Sequence, residues 1–294
     1  MFYFMENFEI ANYADDSTPF SAKSNHKLVL DELETSSSIL FKWLRRNYMK
    51  ANTDKSHILL SGKIKQAANI DGHKILSENE QKLLGVTIDS NLTFEIHFIN
   101  LCTKASAKLN ALARIAGYMD ITKRRIIMKS FITSQFGYCP LIWMFHSRRL
   151  NNKINLIHER ALRITYGDRI STFQELLSKD NSVSIHHRNL QVLATEIFRI
   201  RNNMAPEFLN EIFQERTLQY NLRRRNPFHI RRVNSVYNGT ESLSFLGPKI
   251  WNLVPEEIKT SETVDIFKNK IKKWTPENCP CRLCRVYIQN VGFV

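Results

Sequence analysis

The chain has 294 residues, 43% of them hydrophobic, which is enough to bury one large or two modest cores. No apolar stretch reaches the roughly 18 residues of a membrane span, and no basic residue precedes the apolar segment Met1–Met5, so neither a membrane protein nor a signal peptide is expected. Its five cysteines do not resemble a secreted disulfide framework. We therefore expect an intracellular protein of the nucleus or cytoplasm, without a membrane partner.

The net charge of +14 is concentrated beyond residue 100. Residues 1–100 contain 11 basic and 13 acidic residues, whereas the remaining 194 hold 31 of the 42 Lys and Arg and 15 of the 28 Asp and Glu. This distribution favours a polyanion such as nucleic acid, bound beside an acidic N-terminal piece that could hold metal. A soluble basic protein without such a partner is the alternative.

The first predicted element is a β-hairpin between Phe8 and Phe20, where two short apolar runs flank a polar corner. Asp15 and Asp16 are adjacent at its tip. Two neighbouring carboxylates suit a hard divalent cation such as Mg²⁺, which prefers carboxylate oxygens and substrate phosphates. The alternative is an ordinary turn, in which Asp side chains bond only the local backbone.

The tetrapeptide Tyr13-Ala14-Asp15-Asp16 resembles the catalytic hairpin of reverse transcriptases, in the form found in jockey-like non-LTR retrotransposons. The resemblance continues to the last residue and covers the C-terminal part of such a polymerase. It implies that Asp15 and Asp16 hold two Mg²⁺ ions while a primer 3′-hydroxyl attacks a deoxynucleotide α-phosphate, so that RNA is copied into DNA. The fingers, and the palm strand with another metal-binding Asp, would precede Met1. We therefore expect a catalytically incomplete chain that uses deoxynucleotide triphosphates only when those parts are supplied.

The next segments predict a helix, a turn and a strand. Apolar residues recur at helical spacing from Asn25 to Asn47, a polar turn covers Asn52–Ser56, and His57–Leu60 has strand composition. The order resembles the palm segment after the catalytic hairpin, and the resemblance places Lys55 near the departing pyrophosphate, as a third catalytic residue. A solvated turn lysine is the alternative.

The segment Lys82–Asp89 is apolar and β-branched and predicts one buried strand that ends in a turn. It resembles the primer grip, a strand pair that supports the 3′ end of the primer. The resemblance assigns that role to Leu84, Gly85 and Val86, and Gly85 would let a neighbouring backbone approach closely.

Three helices are predicted after residue 95, and their surface is strongly basic. They run from Leu101 to Gly117, from Asp120 toward Pro140 with Ile126, Ile127 and Phe131 on the apolar face, and from Leu150 to Gly167. Residues 101–170 hold 13 basic and 3 acidic residues. The set resembles a polymerase thumb, which binds template–primer by shape and phosphate contacts. Each basic residue could instead be a solvated surface charge. The expected phosphate contacts are Lys104, Lys108, Lys123, Arg124, Arg125, Arg148, Arg149 and Lys153.

Residues 216–240 contain no acidic residue and interleave arginines with aromatic side chains. Arg223, Arg224 and Arg225 are expected to bind nucleic acid, and Tyr220, Phe228 and Tyr237 could stack on bases of single-stranded RNA. A flexible, solvated linker is the alternative.

The C-terminal tail resembles that of the same elements. Phe245–Pro255 carries their Trp-Asn-x-Leu-Pro pattern, and Trp251 and Trp274 are interpreted as core anchors. Cys279, Cys281 and Cys284 resemble half of a zinc knuckle. Structural zinc normally takes four ligands, and no histidine follows His229, so zinc is not expected.

We therefore predict an α+β protein in which helices dominate: a partial reverse-transcriptase palm, a helical thumb and a mainly helical basic tail. The expected divisions are a palm piece at 1–95, thumb and following helices at 96–213, a basic linker at 214–243 and a helical tail with the cysteine cluster at 244–294. The expected partners are an RNA template and a DNA primer. The alternatives are a non-catalytic nucleic-acid-binding remnant and a degraded element without function.

Overall fold

The computed structural model describes residues 9–62, 65–215, 228–230, 232–235 and 239–284. The chain divides into an N-terminal unit, Met1–Thr93, and a C-terminal unit, Phe94–Val294. Helices hold 57% of the residues and strands 12%, so the α+β class with dominant helices is confirmed. Within the described ranges, no helix is both long enough and apolar enough to cross a membrane.

Three small sheets and one long helix form the N-terminal unit. Its elements are β1 (Glu9–Tyr13), β2 (Asp16–Phe20), α1 (His26–Arg46), β3 (Ile58–Leu59), β4 (Ala67–Ile70), β5 (His73–Glu78), β6 (Glu80–Leu83) and β7 (Val86–Asp89). The strands β1 and β2 form one antiparallel hairpin, and β6 and β7 form another. The strands between these hairpins form a three-stranded sheet in the order β3-β5-β4. The central strand β5 is parallel to β3 and antiparallel to β4. No other strand of the described residues joins the β1–β2 hairpin.

The helix α1 matches the prediction and covers the small core of this unit. Asn25 Oδ1 accepts a hydrogen bond from Lys27 N at 2.9 Å, which satisfies one of the free N–H groups at the helix start. Partly buried residues of α1, Val29 and Leu30 among them, pack against Ile58 and Ile70. The β1–β2 hairpin adds little to this core because most of its residues are exposed.

The prediction of one continuous strand over Lys82–Asp89 is wrong, because the chain reverses in the middle of that segment. Leu83 and Val86 face each other as the last pair of the β6–β7 hairpin. The turn residues Leu84 and Gly85 have φ angles of 46° and 87°. Two-residue hairpin turns often need positive φ at both positions, which glycine adopts freely and which costs a leucine about 1–2 kcal/mol. Gly85 thus lies in the turn of this hairpin.

Helices form the C-terminal unit. They are α2 (Glu95–Ile115), α3 (Ile121–Ile127), α4 (Pro140–Trp143), α5 (Arg148–Tyr166), α6 (Phe173–Asp180), α7 (Ile185–Arg201), α8 (Leu243–Leu253), α9 (Glu256–Lys259) and α10 (Val264–Ile271). One core cluster lies mainly on α2 and α5, where Leu109 and Ile154 confirm the predicted stripes. A second lies on α7, α8 and α10 and extends to the C-terminal cysteines. Trp251 is 1% exposed and Trp274 9%, which confirms both as core anchors.

The apolar face predicted for the second of the three helices is correct at Ile127, which packs on the core, and wrong at Ile126 and Phe131. These two residues are 59% and 56% exposed, whereas Met128, Ile132 and Phe136 are buried. A π-helical turn from Met128 to Ile132 follows α3 directly. A π turn closes over five residues, so the side chains beyond it are rotated away from the spacing of an α-helix.

Candidate functional site

The β1–β2 hairpin places Asp15 and Asp16 at its tip. Ala14 and Asp15 form the two-residue turn, and Asp16 opens β2 opposite Tyr13. Ala14 has a φ of 53°, a left-handed conformation that costs a residue with a Cβ about 1–2 kcal/mol. Both aspartates are exposed. Their carboxylates are thus accessible to a cation and to a substrate phosphate.

Two carboxylates fit part of an Mg²⁺ site. Mg²⁺ requires near-octahedral coordination and commonly takes one or two carboxylates, with water and substrate phosphates as the other ligands. In the described part of the chain, no histidine, cysteine, aspartate or glutamate lies close enough to Asp15 and Asp16 to form a group of three possible metal ligands. The hairpin can therefore supply two Mg²⁺ ligands, and the others must come from substrate, solvent or further protein groups.

Lys55 lies in a 3₁₀ turn, Thr53–Lys55, just before β3, and its side chain is exposed. Asn52 Oδ1 accepts a hydrogen bond from Asp54 N at 3.1 Å and fixes this turn. Within the described ranges, the ion pairs of the N-terminal unit do not join Lys55 to either aspartate of the hairpin tip.

The residues assigned to the primer grip lie at the end of the β6–β7 hairpin. Leu84 and Gly85 form its exposed turn, whereas Val86 is 4% exposed and belongs to the core. This strand pair has the form that the primer-grip resemblance requires. The role itself stays a prediction.

Five of the predicted phosphate contacts lie on α2 and α5. All of them except Lys108 are called here the α2–α5 basic surface: Lys104, Arg148, Arg149 and Lys153. Arg149 forms an ion pair with Glu95, which joins the N-terminal ends of the two helices. Lys153 lies near Cys102 of α2. Burial raises the pKa of the Cys102 thiol to about 11, and the positive charge of Lys153 acts in the other direction. Lys104, Arg148 and Lys153 are exposed and form no ion pair with any described residue. Three cations of this surface are thus free to bind phosphate.

The other predicted phosphate contacts interact with protein groups or cannot be placed. Lys123 Nζ pairs with Asp120 at 3.0 Å, Arg124 Nε donates to Met119 O at 2.9 Å, Arg125 binds Asp180, and Lys108 Nζ lies 5.9 Å from the centroid of the Phe131 ring. Arg223, Arg224 and Arg225 lie outside the described residues, as do Tyr220 and Tyr237. The remaining aromatic residue of that segment, Phe228, is 0% exposed and packs on Phe213, so its interpretation as a base-stacking residue is wrong.

Arg125 and Asp180 form the centre of a buried ionic network. Asp180 is 1% exposed; its Oδ1 accepts hydrogen bonds from Arg125 Nε at 2.6 Å and from the Tyr166 hydroxyl at 2.8 Å. Lys129 Nζ lies 3.3 Å from its Oδ2. Burial raises the pKa of Asp180, but the hydrogen bonds from Arg125 and Tyr166 outweigh it and hold the pKa below the ordinary value. Arg125 is therefore a structural residue that joins α3 to the end of α6.

A cluster of buried thiols and one imidazole, called here the C-terminal cluster, consists of His186, Cys279, Cys281 and Cys284. His186 Nε2 lies 3.3 Å from Cys281 Sγ, and the ligand atoms of these two residues and of Cys284 all lie within 4.8 Å of one another. Cys279 hydrogen-bonds with Cys281 and Cys284; the bond with Cys281, together with burial, raises the pKa of Cys279 to about 12, and the same bond lowers the pKa of Cys281. The four side chains are 0–6% exposed.

His186 cannot be recognised as a possible ligand from the C-terminal segment alone. His186 and Cys281 are 95 positions apart, and only the packing of the tail on α7 brings them together. One signal was available: His186 lies four positions before Leu190, so helical spacing places it on the buried face of α7.

Comparisons with known proteins returned nothing for this chain. No protein-family model matches it, and the searches of curated proteins and of solved structures found no match.

Proposed function

We propose that this chain is the C-terminal part of the reverse transcriptase of a non-LTR retrotransposon. The observation that carries the proposal is Tyr13-Ala14-Asp15-Asp16, which forms a hairpin tip with both carboxylates exposed. Supporting it, the hairpin, the Lys55 turn and the β6–β7 hairpin occur along the chain in the order that the resemblance requires.

In this proposal, Asp15 and Asp16 hold Mg²⁺, which when bound stabilises the attacking and leaving oxygens of the phosphoryl transfer. Lys55 neutralises charge on the departing pyrophosphate, and the Leu84–Val86 turn supports the 3′ end of the primer. The exposure of Lys55 and Leu84 is compatible with these roles.

The α2–α5 basic surface binds the template–primer in the same proposal. Its free cations, Lys104, Arg148 and Lys153, project from two helices that pack on a common core. Such charges contact phosphates without reading base sequence, because sequence is read at the base edges. RNA, or an RNA–DNA duplex, is therefore expected to bind with little sequence preference.

A salt titration tests this surface. Six or so phosphate contacts would lower the affinity for an RNA–DNA duplex roughly a thousandfold between about 50 and 200 mM salt. Removing three contacts with K104Q/R148Q/K153Q should reduce the slope of log affinity against log salt by about 2–3. Fluorescence anisotropy with a labelled duplex measures both slopes.

The matched control is K42Q/K50Q/K74Q, which removes three exposed charges of the N-terminal unit. It changes the net charge equally and should leave the slope close to that of the unmodified chain. Salt-independent affinity, or an equal change in both variants, would show that the α2–α5 surface is not the binding surface.

A second candidate function is non-catalytic nucleic-acid binding by a remnant of such an element. The observation that favours it is the incomplete Mg²⁺ ligand set at Asp15 and Asp16 within the described residues. Both functions predict the same salt dependence, so only an assay of polymerisation separates them.

A further inference from the structure

We propose that Cys279, Cys281, Cys284 and His186 bind one Zn²⁺ ion in a closed, tetrahedral, structural site. The site would fasten the C-terminal segment to α7. This inference goes beyond the polymerase proposal and does not depend on it.

The distances within the C-terminal cluster suit zinc. With bonds of about 2.3 Å to sulfur and about 2.0 Å to nitrogen, two ligand atoms of a tetrahedral zinc lie about 3.5 Å apart. His186 Nε2 and Cys281 Sγ are 3.3 Å apart, and Cys284 Sγ lies within 4.8 Å of both. These separations are close to those that the ligands of one tetrahedral zinc ion would have.

Cys279 is the fourth ligand in this proposal. It is 1% exposed, precedes Cys281 by two positions and hydrogen-bonds with both neighbouring thiols. The ligand atoms of His186, Cys281 and Cys284 all lie within 4.8 Å of one another, but Cys279 is not part of that group. The Cys279 side chain must therefore move to reach the metal. Four protein ligands leave no open position for substrate, which is the mark of a structural zinc site.

The donor set also selects the metal. Three thiols and an imidazole, with no carboxylate among them, favour zinc over Mg²⁺ or Ca²⁺, which take oxygen ligands. His186 Nδ1 is buried and finds no hydrogen-bond partner among the described residues. The other ring nitrogen, Nε2, faces Cys281 Sγ, so Nε2 is the atom that would bind the metal.

The site would act together with Gln191, which lies further along α7. The Gln191 side-chain amide donates to Lys272 O at 3.1 Å and to Trp274 O at 2.8 Å. These bonds hold the chain just before the cysteines, and the metal would hold the cysteines themselves. Because Cys279, Cys281 and Cys284 belong to the second core cluster, loss of the metal should loosen that core.

Zinc content of the purified full chain tests the inference. The chain is expressed with Zn²⁺ in the medium, purified under reducing conditions and assayed by elemental mass spectrometry. We expect one zinc per chain and loss of most of it in C279S, C281S and C284S. The matched control is C102S, which changes a buried cysteine of the other core cluster and should keep one zinc.

Two further measurements keep the inference testable if a cysteine variant fails to fold. EDTA treatment of the unmodified chain should lower its Tm, and added Zn²⁺ should restore it. Replacement of zinc by Co²⁺ should give thiolate-to-cobalt charge-transfer absorption, with visible bands that change in H186N. Substoichiometric zinc with an unchanged Tm, a mass decrease that reports a disulfide, or zinc retained by both C281S and H186N would each overturn the inference.

Discussion

Replacing Asp180 by alanine is expected to lower the free energy of unfolding by about 1.5–3 kcal/mol. The substitution removes the buried carboxylate that binds Arg125, Lys129 and the Tyr166 hydroxyl. Hydrogen bonds to a charged group are the strong ones, but the Arg125 and Lys129 side chains are 42% and 44% exposed, so water can solvate both charges once the carboxylate is gone. Urea titration monitored by circular dichroism measures the change.

The control for Asp180 is K123A, which breaks the exposed pair between Lys123 and Asp120. An exposed pair contributes about 0–1 kcal/mol, so this variant should differ little from the unmodified chain. Equal effects of D180A and K123A would contradict the structural role of the network.

The same network predicts a dependence on pH. The pKa of Asp180 is lower in the folded state, so its contribution is present above the ordinary carboxyl pKa of 3.8 and is lost as pH falls through the folded value. D180N removes this titration. Its stability should therefore fall less steeply below about pH 4 than that of the unmodified chain.

No primer extension is expected from these 294 residues assayed alone. Asp15 and Asp16 supply two metal ligands, and the described residues add no third group to them. Under the proposed function, another segment of the polymerase would supply the fingers and a further metal-binding Asp. Without groups that align the 3′-hydroxyl with the α-phosphate, the loss of effective molarity alone would raise the barrier by about 7–11 kcal/mol.

A radiolabelled primer on an RNA template, incubated with deoxynucleotide triphosphates and Mg²⁺, measures this result. A reverse transcriptase assayed in parallel verifies the substrates. Extension by the isolated chain that D15N abolishes would show that the other palm and finger groups are dispensable.

Local patterns were sufficient for the helices whose apolar residues recur without interruption. For α1, α2 and α5, the apolar stripes agree with the structure, and α5 ends at Gly167 as predicted, because spacing and capping are properties of neighbouring residues. The α2 helix instead ends at Ile115, before the predicted Gly117. The same reasoning failed at the π turn after α3. Phe131 lies within that turn and is exposed, whereas Phe136, which follows it, is buried.

The features that could not be predicted depend on contacts between distant residues or on turn geometry. The pairing of Leu83 with Val86 requires Leu84 to adopt a positive φ, which its side chain disfavours. The proximity of His186 to Cys281 depends on how the tail packs on α7. At the hairpin, by contrast, Asp15 and Asp16 were predicted correctly at the tip, because a two-residue turn is a local structure.

The central claim is that Asp15 and Asp16 are the metal ligands of a polymerase, and a complemented primer-extension assay tests it most directly. A fingers-and-palm segment from a jockey-like element is fused before Met1, and extension is compared for the unmodified fusion, D15N and D31N. Asp31 is an exposed aspartate of α1, so D31N makes the same chemical change away from the hairpin. The account predicts product from the unmodified fusion and from D31N, and none from D15N. Product from D15N equal to that of the unmodified fusion would contradict it.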